Sequence, residues 1–539
     1  MANYTVTDLE LTSIANAIRT KGGTSVSLAF PSEFVSAIND ISAGGGNGDA
    51  YIERTYTSIF NSTASKIGAY AFYNHRTLET VEFTRVRQID ATAFSNCVSL
   101  TSISFPTCEM IGSWAFEYCS VLENIYFPLC SEIGPVAFAS TGILKITSDT
   151  FPACETILTG AFQKCSHLSE VHFPNVTYVE PSGFYGAFMQ CSELRKVQFD
   201  KLSNVASGMF MNCSLLSYAS FPSAKTIGSS AFLNCSNLSA FNFDEVTFVG
   251  YGAFTGTAFT DVSLPSAVTI EGCAFSRCTS LVSVFAPLVT SLGYGAFQTC
   301  PSLKNVSFGP LSYLGGNCFV GTGIERLPLI HASALGANFM SCSHLSGIFS
   351  EDVPYCTTVM GFSDCFSLTY VEIPTCATVY ERTFQRCSAL SFVSLPSCTS
   401  INSSAFHACN NLEVVYAPNI RNIGYGAFMY CSKLKEIDLK NVMSFSRYGF
   451  YGCSQLSVVS LQSASRLASE LFRSCSSLLS VYLLSTSMIR MDGLSAFMDT
   501  PISKSIGGVY GSIFVPESLY AQYITNTSWS PYASRFVSI

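Results

Sequence analysis

Charge is scarce in this chain. Lysine, arginine, aspartate and glutamate make up 12% of its 539 residues, about half the usual share of roughly 25%. The net charge is −8 and no lysine- or arginine-rich run occurs, which excludes the basic stripe that nucleic-acid binding relies on. Long apolar runs are missing too. None reaches the roughly 18 residues a membrane-spanning helix needs, so no membrane span is expected. The first ten residues, MANYTVTDLE, have neither a basic start nor an apolar stretch, so they do not read as a secretory signal. Catalytic motifs are absent as well. The histidines at 75, 167, 172, 331, 344 and 407 form no His-Glu-x-x-His pair. There is no Gly-x-Ser-x-Gly elbow, no phosphate-binding Gly-Lys loop and no calcium loop of spaced aspartates. The Gly-Tyr-Gly triplets at 250–252, 293–295 and 424–426 each lead into a phenylalanine and read as turns. The expectation is a chain that is not an enzyme and holds no cofactor or metal.

What is abundant is phenylalanine, with 43 residues, and cysteine, with 23. Many phenylalanines with little charge rule out disorder as the main state. Their spacing is regular. Anchor phenylalanines stand at 72, 94, 116, 138, 162, 188, 210, 232, 254, 275, 297, 319, 339, 362, 384, 406, 428, 450, 472 and 497. Most gaps are 22 residues and the rest run from 20 to 26. A fixed period of this length is the mark of a repeat protein.

One unit shows the logic. After Phe116, Cys119 follows by three, then Leu122, Ile125 and Phe127, and Pro128 closes the run. The alternation of Ile125 and Phe127 predicts a half-buried strand, and proline ends it because it cannot donate to a ladder. Each unit should be a short strand, a turn, and an irregular or single-turn helical return around the Ala-Phe pair. A lone unit cannot bury its apolar face, so the units must stack, with strands forming a parallel sheet. The expected fold is a right-handed repeat solenoid of about 20 units.

Cysteine follows fifteen of the anchors by three residues. Thr141, Thr257, Thr322 and Thr500 replace it in four units and His75 in the first. Six more, Cys108, Cys130, Cys154, Cys356, Cys376 and Cys398, follow a strand-ending proline by two. One reading makes them metal ligands or disulfides; the other makes them compact buried thiols, one per rung. The regular step and the lack of Cys-x2-Cys pairs favour buried thiols.

The pattern Ile-Gly-x-x-Ala-Phe-x-x-Cys-x-x-Leu, as in Ile227–Cys235 and Ile423–Cys431, resembles the leucine-rich repeats of the BspA type over about residues 51–504. That resemblance implies a leucine-rich-repeat fold and, for function, a surface adhesin that binds host proteins or glycans. Units near Ser350–Phe362 and Ser485–Phe497 depart from the pattern, and their insertions are expected to protrude as loops.

The ends differ from the repeats. Residues 1–43 read as a helical module. Thr7-Asp8-Leu9-Glu10 has capping-box form, Ile14 and Ile18 share one helical face, Gly22-Gly23 stops that helix, and Phe30-Pro31 opens a second with Phe34 on its face. Residues 44–50 are a glycine-rich linker. The helix–Gly-Gly–helix run resembles a module at the N-terminus of bacteriophage tail and baseplate-associated proteins. This implies attachment to other virion proteins through Ile14, Ile18, Phe30 and Phe34; a plain helical cap is the alternative. Residues 505–539 are expected to form a C-terminal cap, a strand and a short helix, with Trp529 and Tyr532 over the last rung.

The remaining feature is a long face. The residue between the two inward positions of each strand points out, as do those two positions earlier. Tyr126, His172, Phe285, Tyr416 and Tyr482 occupy the first place, and Tyr218, Tyr370 and Phe392 the second. Aromatic residues on a solvent face suit recognition of protein or sugar; a cross-strand ladder that only stiffens the sheet is the alternative. The chemistry changes from rung to rung, which favours binding. Taken with the N-terminal resemblance, the expected function is a virion adhesin that binds a host-cell surface receptor, and the alternative is a BspA-like adhesin on a bacterial cell surface. Whether the chain forms a homo-oligomer is left open.

Overall fold

The computed structural model describes residues 57–539 with the exception of residue 63. The helical module and linker expected within residues 1–50, and with them Ile14, Ile18, Phe30 and Phe34, lie outside the described residues. The chain falls into two compact units. One runs to Thr260 and takes in Leu264–Ala267; the other is Asp261–Ser263 with Val268–Ile539.

Both units are stacks of coils, and each regular coil contributes two short strands. The longer strand is the expected one. Glu170–Phe173 pairs in parallel with Lys196–Phe199, Val171 opposite Val197 and Phe173 opposite Phe199. The second strand has two residues, such as Glu132–Ile133 beside Thr156–Ile157. It holds the Ile of the Ile-Gly step and builds a separate parallel sheet, an element the repeat pattern does not reveal because two residues are too few to show a period. Among the described residues the one α-helix is Glu517–Thr525.

The return around the anchor phenylalanine is not helical. Trp114, Phe116 and Tyr118 donate their N–H groups to Pro135, Ala137 and Ala139 of the next coil, at 2.9, 2.7 and 3.0 Å. The residues between them, Ala115, Glu117 and Cys119, donate backwards within their own coil. Alternate N–H groups therefore point along the stack and along the turn, which no helix permits. The left-handed backbone makes this alternation. The residue two places after the anchor has φ between +56° and +74° in all twenty coils, from Asn74 to Asp499.

The coils approach closely, and this sets where glycine is needed. A Cβ on Gly134 would lie 2.4 Å from the Ile111 carbonyl oxygen, a distance no side chain can hold. The Ile-Gly step is thus a contact between main chains.

Phenylalanine fills the space between the sheets and the return. In the first unit the anchors Phe94, Phe116, Phe138 and Phe162 stack at 5.1–5.3 Å. A parallel column from the strands, Phe83, Phe105, Phe127 and Phe151, stacks at 5.5 Å. The columns meet edge-on, as Phe127 and Phe138 do at 5.8 Å and 69°, a geometry aromatic quadrupoles favour. The second unit keeps the anchor column, for example Phe406, Phe428 and Phe450 at 5.3 Å. On its strands, Phe308 apart, the ring gives way to aliphatic side chains, among them Ile373, Leu395 and Leu439.

The cysteines are free thiols, and all but Cys273 are buried. Those three residues past an anchor have a partner. Cys119 Sγ donates to the Phe94 carbonyl of the preceding coil at 3.2 Å, and Cys409 Sγ to that of Phe384 at 3.0 Å. Where threonine stands instead, its hydroxyl turns to its own coil: Thr141 Oγ1 donates to the Phe138 carbonyl and Thr322 Oγ1 to that of Phe319, both at 2.8 Å. The cysteines after proline donate to the carbonyl two residues on, as Cys356 does to Thr358 at 3.1 Å.

Two expectations about insertions are corrected. The stretch 350–362 does not protrude: Asp352 is only 6% exposed, its backbone carbonyl accepts from the Ile330 N–H at 2.8 Å, and its carboxylate takes Arg326 at 3.0 Å. The stretch 485–497 is also held down, with Ser485, Ile489 and Met491 buried. A buried apolar residue in each insertion, Val353 and Ile489, explains why neither leaves the stack. The chain bulges instead within the longest gap, between Phe162 and Phe188, where Phe184 is 82% exposed.

At the C-terminal end the strand Ser512–Val515 pairs with Ser480–Leu483 on one side and Phe536–Ser538 on the other. The helix Glu517–Thr525 and a 3-10 turn, Ser530–Arg535, follow the first of these. Trp529 Nε1 donates to the Ile489 carbonyl at 2.9 Å, the Ile489 N–H donates to the Tyr523 hydroxyl at 2.8 Å, and the Tyr532 hydroxyl donates to the Leu494 carbonyl at 2.7 Å. Trp529 and Tyr532 close over the Phe497 ring, which has no further coil to stack on.

Gly134→Ala should destabilise the protein by about 1–3 kcal/mol or more, because the new methyl overpacks against fixed backbone. Ser131→Ala, exposed in the same coil, should stay within about 0.5 kcal/mol of wild type. Urea unfolding of both variants reads the difference.

Burial pushes the Cys108, Cys154, Cys318 and Cys387 thiols up to about 12 from an ordinary value of 9.0. The unfolded chain ionises first as pH rises. Their contribution to stability is therefore complete below pH 9 and is lost between about pH 9 and 12, at up to ~1.4 kcal/mol per thiol per pH unit. The urea midpoint should hold from pH 7 to 8.5 and fall steeply above. At neutral pH a thiol reagent should find about one reactive cysteine, Cys273, until the protein is unfolded. Rapid reaction of many thiols in the native state would contradict this arrangement.

Candidate functional site

Each longer strand buries alternate residues, so the others stand on an outer face. The eight residues singled out from the sequence all lie on these strands. Tyr126, Tyr218, Phe285 and Tyr416 are exposed. His172, Tyr370, Phe392 and Tyr482 are half-buried, and the reason differs for each. His172 Nε2 meets Asp200 Oδ2 at 3.0 Å, and Gln198 donates to the other oxygen of the same carboxylate. Tyr482 is stacked on Phe514 at 4.6 Å.

Tyr370 and Phe392 are the two that the structure brings together. Register places them side by side on adjacent strands, and their rings stack at 5.3 Å and 11°. The column extends backwards to a residue that the repeat pattern misses. Phe349 follows the inward Ile348, at the outward place that Glu372 holds on the next strand. Its neighbour Gly347, which pairs with Tyr370, has no side chain. The Phe349 ring lies over that gap, where a Cβ on Gly347 would be 2.8 Å from it. It stacks on Tyr370 at 5.7 Å. Glycine at an outward strand position, followed two residues later by an aromatic, is the signal that could have located it.

The edge of this column is polar and charged. Arg326 lies over the Phe349 ring, its Cζ 5.4 Å from the centroid, and pairs with Glu351 and Asp352 at 2.9 and 3.0 Å. The Tyr370 hydroxyl donates to Glu372 Oε2 at 3.0 Å. Desolvation, with Glu372 beside it, lifts that phenol above its usual value, so it stays a donor across the neutral range. On the next strands Val414 continues the column beside Phe392, and Tyr416 stands beside Ser394. The result is a flat aromatic strip, Phe349–Tyr370–Phe392, bordered by an arginine, three carboxylates and Tyr416.

The first unit offers a different strip. Lys145, Glu170 and Lys196 form a ladder of ion pairs at 3.6 and 3.0 Å, and Tyr218 is next in register after Lys196. The hydrogen bond from Lys196, with Lys145 on the other side, holds the Glu170 carboxyl below its usual range. Tyr126 stands apart from this group, beside Ser104, and Phe285 stands between Ser263 and Ser307. Among the described residues no group of three histidine, cysteine or acidic side chains is placed to hold a metal ion, and no helix is long and apolar enough to cross a membrane.

Stacked coils, parallel sheets and a varied outward face define a leucine-rich-repeat solenoid, a scaffold that typically binds rather than catalyses. The chain belongs to the family described as BspA type leucine rich repeat region (6 copies), whose model matches residues 51–151, 131–257, 269–391, 358–479 and 399–506. Solved structures similar to it include a leucine-rich repeat protein from Bacteroides ovatus, 22% identical over 75% of this chain and 86% of that one, with a TM-score of 0.31. The leucine rich repeat protein of T. pallidum is 25% identical over 35% of this chain and 85% of its own, at 0.26. A leucine rich cell surface protein from Faecalibacterium prausnitzii is 18% identical over 80% and 89%, at 0.22. No relative was found among curated proteins. The family match starts at residue 51 and leaves the N-terminal module uncovered, so the resemblance of residues 1–43 to phage tail proteins gains no support from it.

Phe392→Ala should cost about 0.5–1.5 kcal/mol beyond the area it uncovers, because it removes a stacked pair. Tyr416→Ala, 54% exposed and outside the stack, should stay within about 0.5 kcal/mol of wild type. Denaturant melts of the two variants test whether the strip is a packed unit.

Proposed function

We propose that this chain is an adhesion protein of the BspA type, which recognises a protein or glycan on a cell surface through the outer face of its sheet. The observation that carries this reading is the aromatic strip Phe349–Tyr370–Phe392. Three rings in one column, each partly exposed, leave a flat apolar surface. Arg326, Glu372 and Tyr416 border it with groups that can fix orientation, which is how binding surfaces are commonly composed. A ladder serving stiffness alone would repeat along the sheet, whereas the register-matched column in the first unit carries lysine and glutamate. The reading places the protein at a bacterial cell surface, with Tyr126, His172, Tyr218, Phe285 and Tyr482 as further contributors on other rungs.

A second reading makes the chain a virion component that displays the same face to a host cell. It rests on the sequence pattern of residues 1–43 alone, with Ile14, Ile18, Phe30 and Phe34 joining the particle. Gold labelling of phage particles for this chain would support it, and label confined to the bacterial envelope would sink it.

The adhesion reading is tested with a Tyr370→Ser, Phe392→Ser double variant. Binding of the purified variant to whole bacterial and epithelial cells should fall at least tenfold, while its circular dichroism and cooperative melting persist. Unchanged cell binding by a folded double variant would remove the strip from the function.

A further inference from the structure

The returns of the first unit carry exposed aromatic residues of their own, away from the strands that bear the strip. Tyr70, Tyr73, Trp114 and Tyr118, with Glu117 and Asn96, line an open hollow of about 500 Å3. The four rings are 46–59% exposed. Tyr70 and Tyr73 meet edge to face, centroids 5.9 Å apart at 81°, so two walls stand at right angles. Tyr70, Trp114 and Tyr118 sit at φ of +60°, +55° and +60°, a region that bulky side chains rarely enter. Gly208, Ser230 and Gly252 hold the place of Tyr70 and Trp114 in other coils, so the repeat itself does not call for aromatics here.

Among the described residues Glu117 is the one charged residue in the lining. Among the described residues its carboxylate has no hydrogen bond and no ion pair, and partial burial lifts it above the usual carboxylate range.

The second unit shows what such a cluster takes. On its returns, Tyr425 and Tyr448 meet at 5.5 Å and 88°, and Tyr430 and Tyr451 at 5.3 Å and 88°. There the cations are the chain's own. Arg447 Cζ lies 4.6 Å over the Tyr448 ring and Arg473 Cζ 5.7 Å over Tyr451. Both guanidinium groups donate to the buried carboxylate of Glu470. Perpendicular rings, a carboxylate and guanidinium cations form one closed set. The hollow in the first unit has the rings and the carboxylate, and among the described residues no lysine or arginine lines it.

We infer that the hollow between Tyr70, Tyr73, Trp114 and Tyr118 binds an organic cation, a guanidinium or methylated ammonium group, with Glu117 as its counter-charge. Such cations are weakly hydrated and gain from ring faces. Half-exposed rings and one carboxylate make a weak site, with a dissociation constant of roughly millimolar.

The two tryptophans make the test direct. Trp114 lines the hollow and Trp529 is fully buried. The full chain is titrated with choline, with N-methylguanidinium, with glucose, and with sodium chloride at matched ionic strength, while tryptophan fluorescence is followed. A saturable change with choline or N-methylguanidinium is expected, the stronger of the two naming the cation class. The change should vanish in Trp114→Phe. In Glu117→Gln, about one charge–charge contact weaker, the midpoint should rise about fivefold, with both variants melting as wild type does. The inference is overturned if neither cation gives more than sodium chloride does, if glucose gives the same saturable change, or if Glu117→Gln leaves the midpoint unmoved.

Discussion

Everything in this molecule depends on the hydrogen bond from the N–H of an anchor phenylalanine to the next coil, 2.7 Å from Phe94 to Ala115 and again from Phe116 to Ala137. It ties one coil to the next in the region where no strand does. Its neighbours on alternate residues repeat the tie, and this repetition imposes the left-handed residue two places later. The rings then have no freedom in spacing. They stack near 5.1 Å because the main chains beneath them are held one backbone hydrogen bond apart, close to the spacing of strands in a sheet. The same closeness makes glycine necessary at Gly134 and makes a small side chain necessary beside the anchor.

Cysteine meets that last requirement through two properties at once. It is compact and apolar enough to be buried, and its thiol reaches the anchor carbonyl of the coil before it. Threonine, with a stronger donor, satisfies the carbonyl of its own coil instead. Both solutions remove an acceptor from the list of buried polar groups that would otherwise lack a partner. With 23 cysteines the chain looks like a candidate for metal or disulfide chemistry; thiols such as Cys108, Cys154 and Cys387 instead donate to a carbonyl, and burial raises their pKa.

The repeat was legible because its cause is periodic. Phenylalanine every 22 residues reflects one ring per coil, and the alternation at Ile125 and Phe127 reflects one strand per coil. What stayed hidden was whatever the period does not encode. The two-residue strands are too short to leave a pattern. The alternating backbone of the return depends on φ, and residues as unlike as Asn74, Lys164 and Ala408 adopt the same positive value, so no residue type announces it. The insertions misled because length alone suggested loops, whereas Val353 and Ile489 could be buried. On the outer face, Tyr370 and Phe392 were found by counting along the strand, and Phe349 was missed because its place depends on the absent side chain of Gly347.

A scaffold that satisfies its core identically in every coil leaves its surface free to vary, and here the departures from the period coincide with the exposed aromatic groups. Phe349 depends on a glycine where other coils have a side chain. Trp114 occupies a backbone position that other coils give to residues as different as Gly208, Ser230 and Val136. In the second unit, Tyr448 and Tyr451 lie in returns whose arginines and Glu470 complete one another, so that surface is closed upon itself. The distinction between a structural cluster and a binding one therefore lies less in the rings than in whether the chain supplies the partner. Where it does, as with Arg447 over Tyr448, the residues stabilise a stack whose coils each touch only their neighbours. Where it does not, as around Glu117, the same chemistry is left facing solvent, and a ligand that brings the missing charge completes it.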